Sequence, residues 1–363
     1  MSPKTILIDG REFAMGKTTG IGRFLKGLLH ALIESDLDLE LMLAISDKHA
    51  VPYELCNKKK TKIRELRTNF LSSEKVLSDL ARQGVSLFLS PYPKLPLFGS
   101  HCLAANTIHD VLDLTHPAYK KRFKTFLDTF RLRLALKKAS LTWFDSTWSL
   151  KETEKCAGFV GKNPKVRYLA IDERFKEYAM KDEDAVLKKY QLTGEYIIVI
   201  GNGLPHKNLG VLLAIADVIA RQFVFVGVSE KNQRYWRLKY QSSTPRWISH
   251  VDDEELPALI RGAYCLAQPS MVEGYGYPPL EAMACGIPAV VSNIQVLRET
   301  TGGHALFADP SDSKPWLQAF ETLERRGLYK SQAEKGLKWV EPLRGRKGWE
   351  KHVSDIEELL KGG

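Results

Sequence analysis

Cysteine is sparse in this chain of 363 residues: Cys56, Cys102, Cys156, Cys265 and Cys285 are odd in number, widely scattered and never in C-x-x-C spacing. That pattern excludes a disulfide frame and a zinc knuckle, and it fits a reducing compartment. Long apolar runs are missing as well. None reaches the roughly 20 residues that a bilayer-spanning helix requires, and Met-Ser-Pro-Lys-Thr-Ile-Leu-Ile-Asp at the start enters a strand directly instead of a signal segment. The expectation is a cytoplasmic protein, soluble or peripheral at the inner face of the cell membrane. No cluster of His, Cys, Asp and Glu has the spacing of a metal site; Asp36-Leu-Asp38 sits in a polar connector and reads as a turn. No metal and no cofactor are expected. A nucleic-acid-binding motif is absent too, so nucleic acid is not an expected partner.

What is present points to two folded domains. The chain is longer than most single cores, and 44% of it is hydrophobic. The net charge of +10 is unevenly placed: residues 1–180 hold 30 Lys and Arg against 20 Asp and Glu, and the remainder holds 23 against 23. A basic first half suits an anionic surface or an anionic acceptor.

Apolar strands alternate with helical periodicity throughout, at 5–10, 39–45, 86–89, 107–108, 196–200 and 223–227, with helical stretches after Gly20 and near 73–83. Such alternation predicts parallel sheets with crossover helices. Two nucleotide motifs are imitated and fail. Gly10 and Gly16-Lys17-Thr18 are separated by five residues where the ATP-binding loop has four. Gly201-Asn-Gly203 follows a strand as a dinucleotide fingerprint does, but its third glycine position is His206.

The stretch around which the chain is organised is Ser270-Met-Val-Glu273-Gly-Tyr-Gly-Tyr-Pro278-Pro-Leu-Glu281-Ala-Met-Ala-Cys-Gly286. Pro278 and Pro279 suit the first turn of a helix, which Gly286 ends. Glu273 precedes the loop and Glu281 is placed in the first helical turn. A helix start beside glycines offers N–H groups to a phosphate, while two carboxylates accept from sugar hydroxyls. A nucleotide sugar needs both.

This segment resembles the Glu-x7-Glu motif of retaining GT-B glycosyltransferases of the GT4 family. The resemblance covers nearly the whole chain, is strongest in 196–310 and is weakest in 40–85. It implies an α/β protein of GT-B architecture, with two doubly wound, Rossmann-like parallel-sheet domains facing each other across a cleft. Residues 1–175 would form an acceptor domain, 176–347 a donor domain, and 348–363 a last helix packing back on the first. It implies a donor sugar held by Glu273, Gly274, Tyr275, Gly276, Tyr277 and Pro278, ribose hydroxyls by Glu281, the nucleobase by backbone around Ile248 to Val251, and the diphosphate by Lys207. Asn202 and His206 stand where many members carry Arg. Gly20 and Gly22 match the glycine-rich N-terminal helix start, and His109, ending a strand beside Asp110, matches the family's histidine near the donor sugar. Neighbours on a strand point to opposite faces, so Asp110 is not expected to pair with His109. The implied activity is metal-independent hexose transfer with retention, catalysed by His109, Glu273 and Lys207. Mannose from GDP-mannose, moved to a glycan or lipid-linked acceptor in surface-polysaccharide assembly, is the reading preferred here. A nucleotide-sugar epimerase of the same fold and a non-catalytic nucleotide-sugar binder are the alternatives.

One further expectation concerns the basic half. Tyr119 to Ala139 reads as a helix with Phe123, Phe126, Leu127, Phe130 and Leu134 on one side, for which ordinary core packing is expected ahead of membrane docking. Peripheral contact with acidic membranes is expected through Lys58, Lys59, Lys60 and Lys62 together with Lys120, Lys121 and Lys124.

Overall fold

Two parallel sheets account for all thirteen strands among the described residues. The structure is a computed structural model, and it describes residues 3–13, 19–52, 55, 60–66, 69–115, 122–178, 182–241 and 244–362. The chain divides into two compact units, residues 1–170 with 346–363 and residues 171–345.

The first unit contains β1 (Lys4–Asp9), β2 (Leu39–Ile45), β3 (Thr61–Glu65), β4 (Leu87–Ser90), β5 (Leu103–Ile108), β6 (Leu141–Phe144) and β7 (Pro164–Val166), in the spatial order β3-β2-β1-β4-β5-β6-β7. The central strands are covered on both faces, so they read as unbroken apolar runs; Ile6, Leu7 and Ile8 are fully buried. The helix Gly20–Glu34 follows β1, capped by Thr19, and buries Phe24, Leu25, Leu28, Leu29 and Leu32. The helix expected near 73–83 spans Phe70–Leu80 instead, because Asn69 accepts hydrogen bonds from Leu71 and Ser72 and so fixes an earlier start.

The helix Arg122–Lys138 departs from expectation in its orientation. Leu132, Ala135 and Leu136 face the core, where Leu132 and Leu136 meet Ile108, Val111 and Phe144, whereas Phe126, Leu127, Phe130 and Leu134 are exposed. A helix apolar on two sides leaves its sequence stripe ambiguous, and here the aliphatic side wins the core. Tyr119, Lys120 and Lys121 lie outside the described residues, as do Lys58 and Lys59.

The C-terminal helix Gly345–Gly362 packs on this same unit from Arg346 onward. Trp349 lies so close to Gly27 that a Cβ there would come within 2.4 Å of the indole. Asp355 is buried and accepts from Trp143 Nε1 (2.8 Å), Lys165 Nζ (2.8 Å) and both Nε and Nη2 of Arg167 (2.8 Å each).

The second unit contains β8 (Tyr196–Ile200), β9 (Gln222–Val226), β10 (Arg246–Ile248), β11 (Cys265–Gln268), β12 (Ala289–Ser292) and β13 (Leu306–Ala308), ordered β10-β9-β8-β11-β12-β13. Every pairing is parallel. One core joins Ile197, Val199, Phe223, Phe225, Val290, Trp316 and Phe320. In both sheets the strand order reverses beside the first strand, at β1/β4 and at β8/β11, and the crevice beyond such a point is where open α/β sheets take their ligands.

Candidate functional site

Beyond β8 the chain forms a short 3-10 turn, Pro205–Lys207; beyond β11 it runs as a loop to the helix Tyr277–Ala284. The two loops are tied together. Met271 N–H donates to the His206 carbonyl (2.8 Å), and Asn208 Nδ2 donates to the carbonyls of Pro269 (3.0 Å) and Pro310 (2.7 Å). This brings Lys207 and Glu273 face to face at the switch point, Nζ to Oε1 2.6 Å. Gln268 Nε2 and Ser270 Oγ donate to the same oxygen, each at 2.6 Å. Burial by itself pushes the Glu273 carboxyl up, but the Lys207 ammonium and the three hydrogen bonds outweigh it and hold the group below the usual carboxylate range. Glu273 is a fixed anion beside a fixed cation.

The loop owes its shape to Gly276. Its φ is 95°, and an added Cβ would come within 2.5 Å of Leu297 Cδ2, so both conformation and space demand glycine. Tyr275 is buried, with its ring 5.5 Å from that of Tyr277 in a T-shaped contact; Gly274 and Pro278 are half-buried. Glu281 corrects the sequence reading. It is the fifth residue of the helix and lies beyond the first turn, buried. The N-terminus is also poorer in donors than expected, because Pro278 and Pro279 occupy its second and third positions and carry no N–H. Amide donors near Glu273 therefore come from residues 274–277.

The other residues expected around the donor are placed as follows. Asn202 is exposed, with its own side-chain oxygen accepting from Leu204 N–H (3.1 Å) and its carbonyl accepting from Asn232 (2.8 Å). His206 is half-buried in the turn before Lys207. Ile248 ends β10 with its carbonyl engaged by Gly227 N–H (2.9 Å), and Val251 follows in the connecting loop. In the first unit Gly20 opens its helix exposed, whereas the Gly22 amide is engaged by the Thr19 cap (2.9 Å).

His109 follows β5 in that first unit. As the strand geometry requires, it does not pair with Asp110; its Nδ1 lies 2.6 Å from Asp145 Oδ2, at the end of the adjacent β6. Burial alone lowers the His109 pKa, but the Asp145 carboxylate and its hydrogen bond raise it overall. Nε2 is buried, and the ring meets Phe24 edge-on at 5.0 Å. Neither Asp145 nor Gln268 is marked out by sequence spacing. Each is a polar residue at or just past the end of an apolar strand; Asp145 meets His109 only because β6 lies beside β5, whereas Gln268 meets Glu273 five residues on in its own loop. Among the described residues no group of three or more His, Cys, Asp or Glu is placed to hold a metal ion.

Residues 181–339 match the family model described as Glycosyl transferases group 1. O-antigen chain mannosyltransferase B of Escherichia coli is 30% identical over 220 residues, covering 58% of this chain and 58% of that protein. O-antigen chain mannosyltransferase RfbU of Salmonella typhimurium is 30% identical over 136 residues, covering 36% and 38%. The chain thus spans little more than half the length of the first relative and less of the second. Among solved structures, Anabaena HepE in complex with UDP-glucose superposes with a TM-score of 0.76 at 16% identity, over 98% of this chain and 99% of that one. A glycosyltransferase from Rickettsia africae does so with a TM-score of 0.77 at 15% identity, over the full length of both. These likenesses show the fold: two parallel-sheet, Rossmann-like domains of the GT-B kind.

Proposed function

Since residues 181–339 match the glycosyl transferases group 1 family model, we propose that the chain is a member of that family and moves a hexose from a nucleotide diphosphate sugar to a glycan or lipid-linked acceptor, with retention of configuration and without a metal. Mannose from GDP-mannose is the proposed donor group, and assembly of a surface polysaccharide the proposed setting. The two mannosyltransferase relatives support that choice. The observation that carries the reading is the Lys207–Glu273 pair at the switch point. An ammonium fixed there lies where a leaving diphosphate gathers charge, and it stabilises that charge electrostatically without proton transfer. Glu273 has Oε1 occupied by three donors and offers Oε2 to a sugar hydroxyl. Glu281, the loop 274–278 and the backbone near Ile248 and Val251 are proposed to complete the donor site, with Asn202, His206, Gly20 and Gly22 as further contacts and His109 as a further catalytic residue.

No helix among the described residues is long and apolar enough to cross a membrane. Peripheral attachment at the cytoplasmic face is proposed as the way a lipid-linked acceptor is met.

The test is product analysis by NMR after incubation of the full chain with GDP-mannose and an acceptor glycan, with and without EDTA. The expected product keeps the donor's anomeric configuration and forms equally in both conditions. Inversion overturns the stereochemical part and loss of activity with chelator the metal-free part. Conversion of the donor sugar without an acceptor identifies an epimerase, and binding without turnover a non-catalytic nucleotide-sugar protein.

A further inference from the structure

The first unit carries an apolar ridge that none of its described residues covers. Phe126 is 70% exposed and Phe130 60%; Phe70 and Leu71, opening the helix Phe70–Leu80, are 53% and 59% exposed. The two helices join at this ridge, because the Arg131 guanidinium sits 5.7 Å from the centre of the Phe70 ring. On the helix Arg122–Lys138, Phe126 and Phe130 are one turn apart and Leu134 one turn further, so they form a continuous stripe. Its flanks are nearly of one sign: Arg131, Lys137, Lys138 and Arg133, whose Nε also donates to the Ala157 carbonyl (3.1 Å), stand against the single acid Asp128.

The lysines that the sequence offered for an anionic surface are engaged elsewhere where they are described. Lys60 Nζ donates to the carbonyls of Ser35 (3.2 Å) and Leu37 (3.1 Å), and Lys62 pairs with Glu40 at 2.6 Å. We propose that the ridge of Phe70, Leu71, Phe126, Phe130 and Leu134, with its flanking Arg and Lys, is the face that seats this protein in the headgroup layer of an anionic bilayer. The proposal rests on the reading of a membrane-borne acceptor. Large aromatic side chains beside cations are the composition that lies in such an interface, with rings at the acyl boundary and charges among lipid phosphates. Charge complementarity selects this occupant over a second copy of the chain. A two-fold contact through the stripe would bring four cations against the same four cations, which repel.

The experiment is co-sedimentation of the full chain with phosphatidylglycerol vesicles and with phosphatidylcholine vesicles, at low and high salt. The wild type is expected on the anionic vesicles, with a fraction that resists salt because rings are inserted. Phe126→Ser with Phe130→Ser should lower the partition coefficient by about tenfold or more. Lys137→Gln with Lys138→Gln should lower it by about fivefold per cation at low salt. Lys60→Gln with Lys62→Gln should leave it unchanged. These positions are on the surface, and unchanged circular dichroism melting verifies that the variants fold. Absence of wild-type binding, equal binding to both vesicle types, or retention by the phenylalanine variant overturns the proposal. So does a dimer in size-exclusion chromatography that dissociates on Phe126→Ser. GDP-mannose turnover on a soluble acceptor, measured on the same preparations, separates the two readings: turnover without vesicle binding sinks the ridge alone, and vesicle binding without turnover sinks the transferase reading alone.

Discussion

Lys207→Met keeps the aliphatic stem of the side chain and removes the ammonium that faces Glu273. The Lys207 side chain is 20% exposed and that of Glu273 10%, so the pair is largely shielded from water. Removing one partner of a buried pair costs about 3–5 kcal/mol. Glu273 keeps its bonds from Gln268 and Ser270, which reduces the expected loss to about 2–3 kcal/mol. Glu273→Gln should cost less, about 1–2 kcal/mol, since Lys207 recovers water. The double variant should then show a coupling on the order of 1–2 kcal/mol. The pH dependence makes the reasoning sharper. In the wild type the folded-state pKa of Glu273 is lowered from its ordinary 4.5, so its stabilising contribution is full above that value and is lost as pH falls through the folded pKa. In Lys207→Met burial dominates and the folded pKa rises; the penalty is then full at neutral pH and is relieved on acidification. Urea titration of the full chain, with hydrogen exchange localising the transition to residues 196–308, should show the gap between wild type and variant closing as pH drops. A gap that stays constant from neutral pH to about 4.5 refutes an ionised, Lys207-compensated Glu273.

Much of this site was legible because it lies on contiguous sequence. The loop from Ser270 to Gly286 declares itself through glycines at a forced turn, paired prolines and two glutamates, and Gly276 is required there by a positive φ. The strands were legible for the same kind of reason, since a strand buried on both faces reads as an apolar run. What sequence spacing could not supply were pairings made across strands. Asp145 is 36 positions from His109, and they meet only because β6 lies beside β5. Lys207 is 66 positions from Glu273 and reaches it because β11 lies beside β8. Periodicity also failed on the helix Arg122–Lys138, where two apolar faces compete and the pattern does not say which one the core takes. The turn assigned to Glu281 slipped because two prolines after Gly276 start the helix at Tyr277, one turn before that carboxylate.

Gly276→Ala should lower stability by about 2–4 kcal/mol through backbone strain together with the clash against Leu297, read as a drop in melting temperature; Leu297→Ala should restore only the steric part. Asp145→Asn removes the carboxylate that raises the His109 pKa. Wild-type stability from this pair is full below the ordinary histidine value and declines as pH rises through the folded pKa, so the variant should lose that alkaline slope and its His109 ring should titrate lower by NMR. Asp355→Ala tests how the C-terminal helix is held. The carboxylate receives Trp143, Lys165 and Arg167, which outweigh burial and keep its pKa below the usual aspartate value. Its contribution is therefore full above about 3.8 and lost as pH falls through the folded pKa. The alanine variant leaves the buried Trp143 N–H without an acceptor, and two cations, each 22% exposed, turn to water, for a cost of about 2–4 kcal/mol at neutral pH. Asp355→Asn, which can still accept from Trp143, should cost about half as much. Hydrogen exchange across Gly345–Gly362 and the fluorescence of Trp143 and Trp349 report the change; equal protection in all three proteins would show that the aromatic contacts of Phe24, Trp143, Trp349 and His352 hold this helix without the carboxylate.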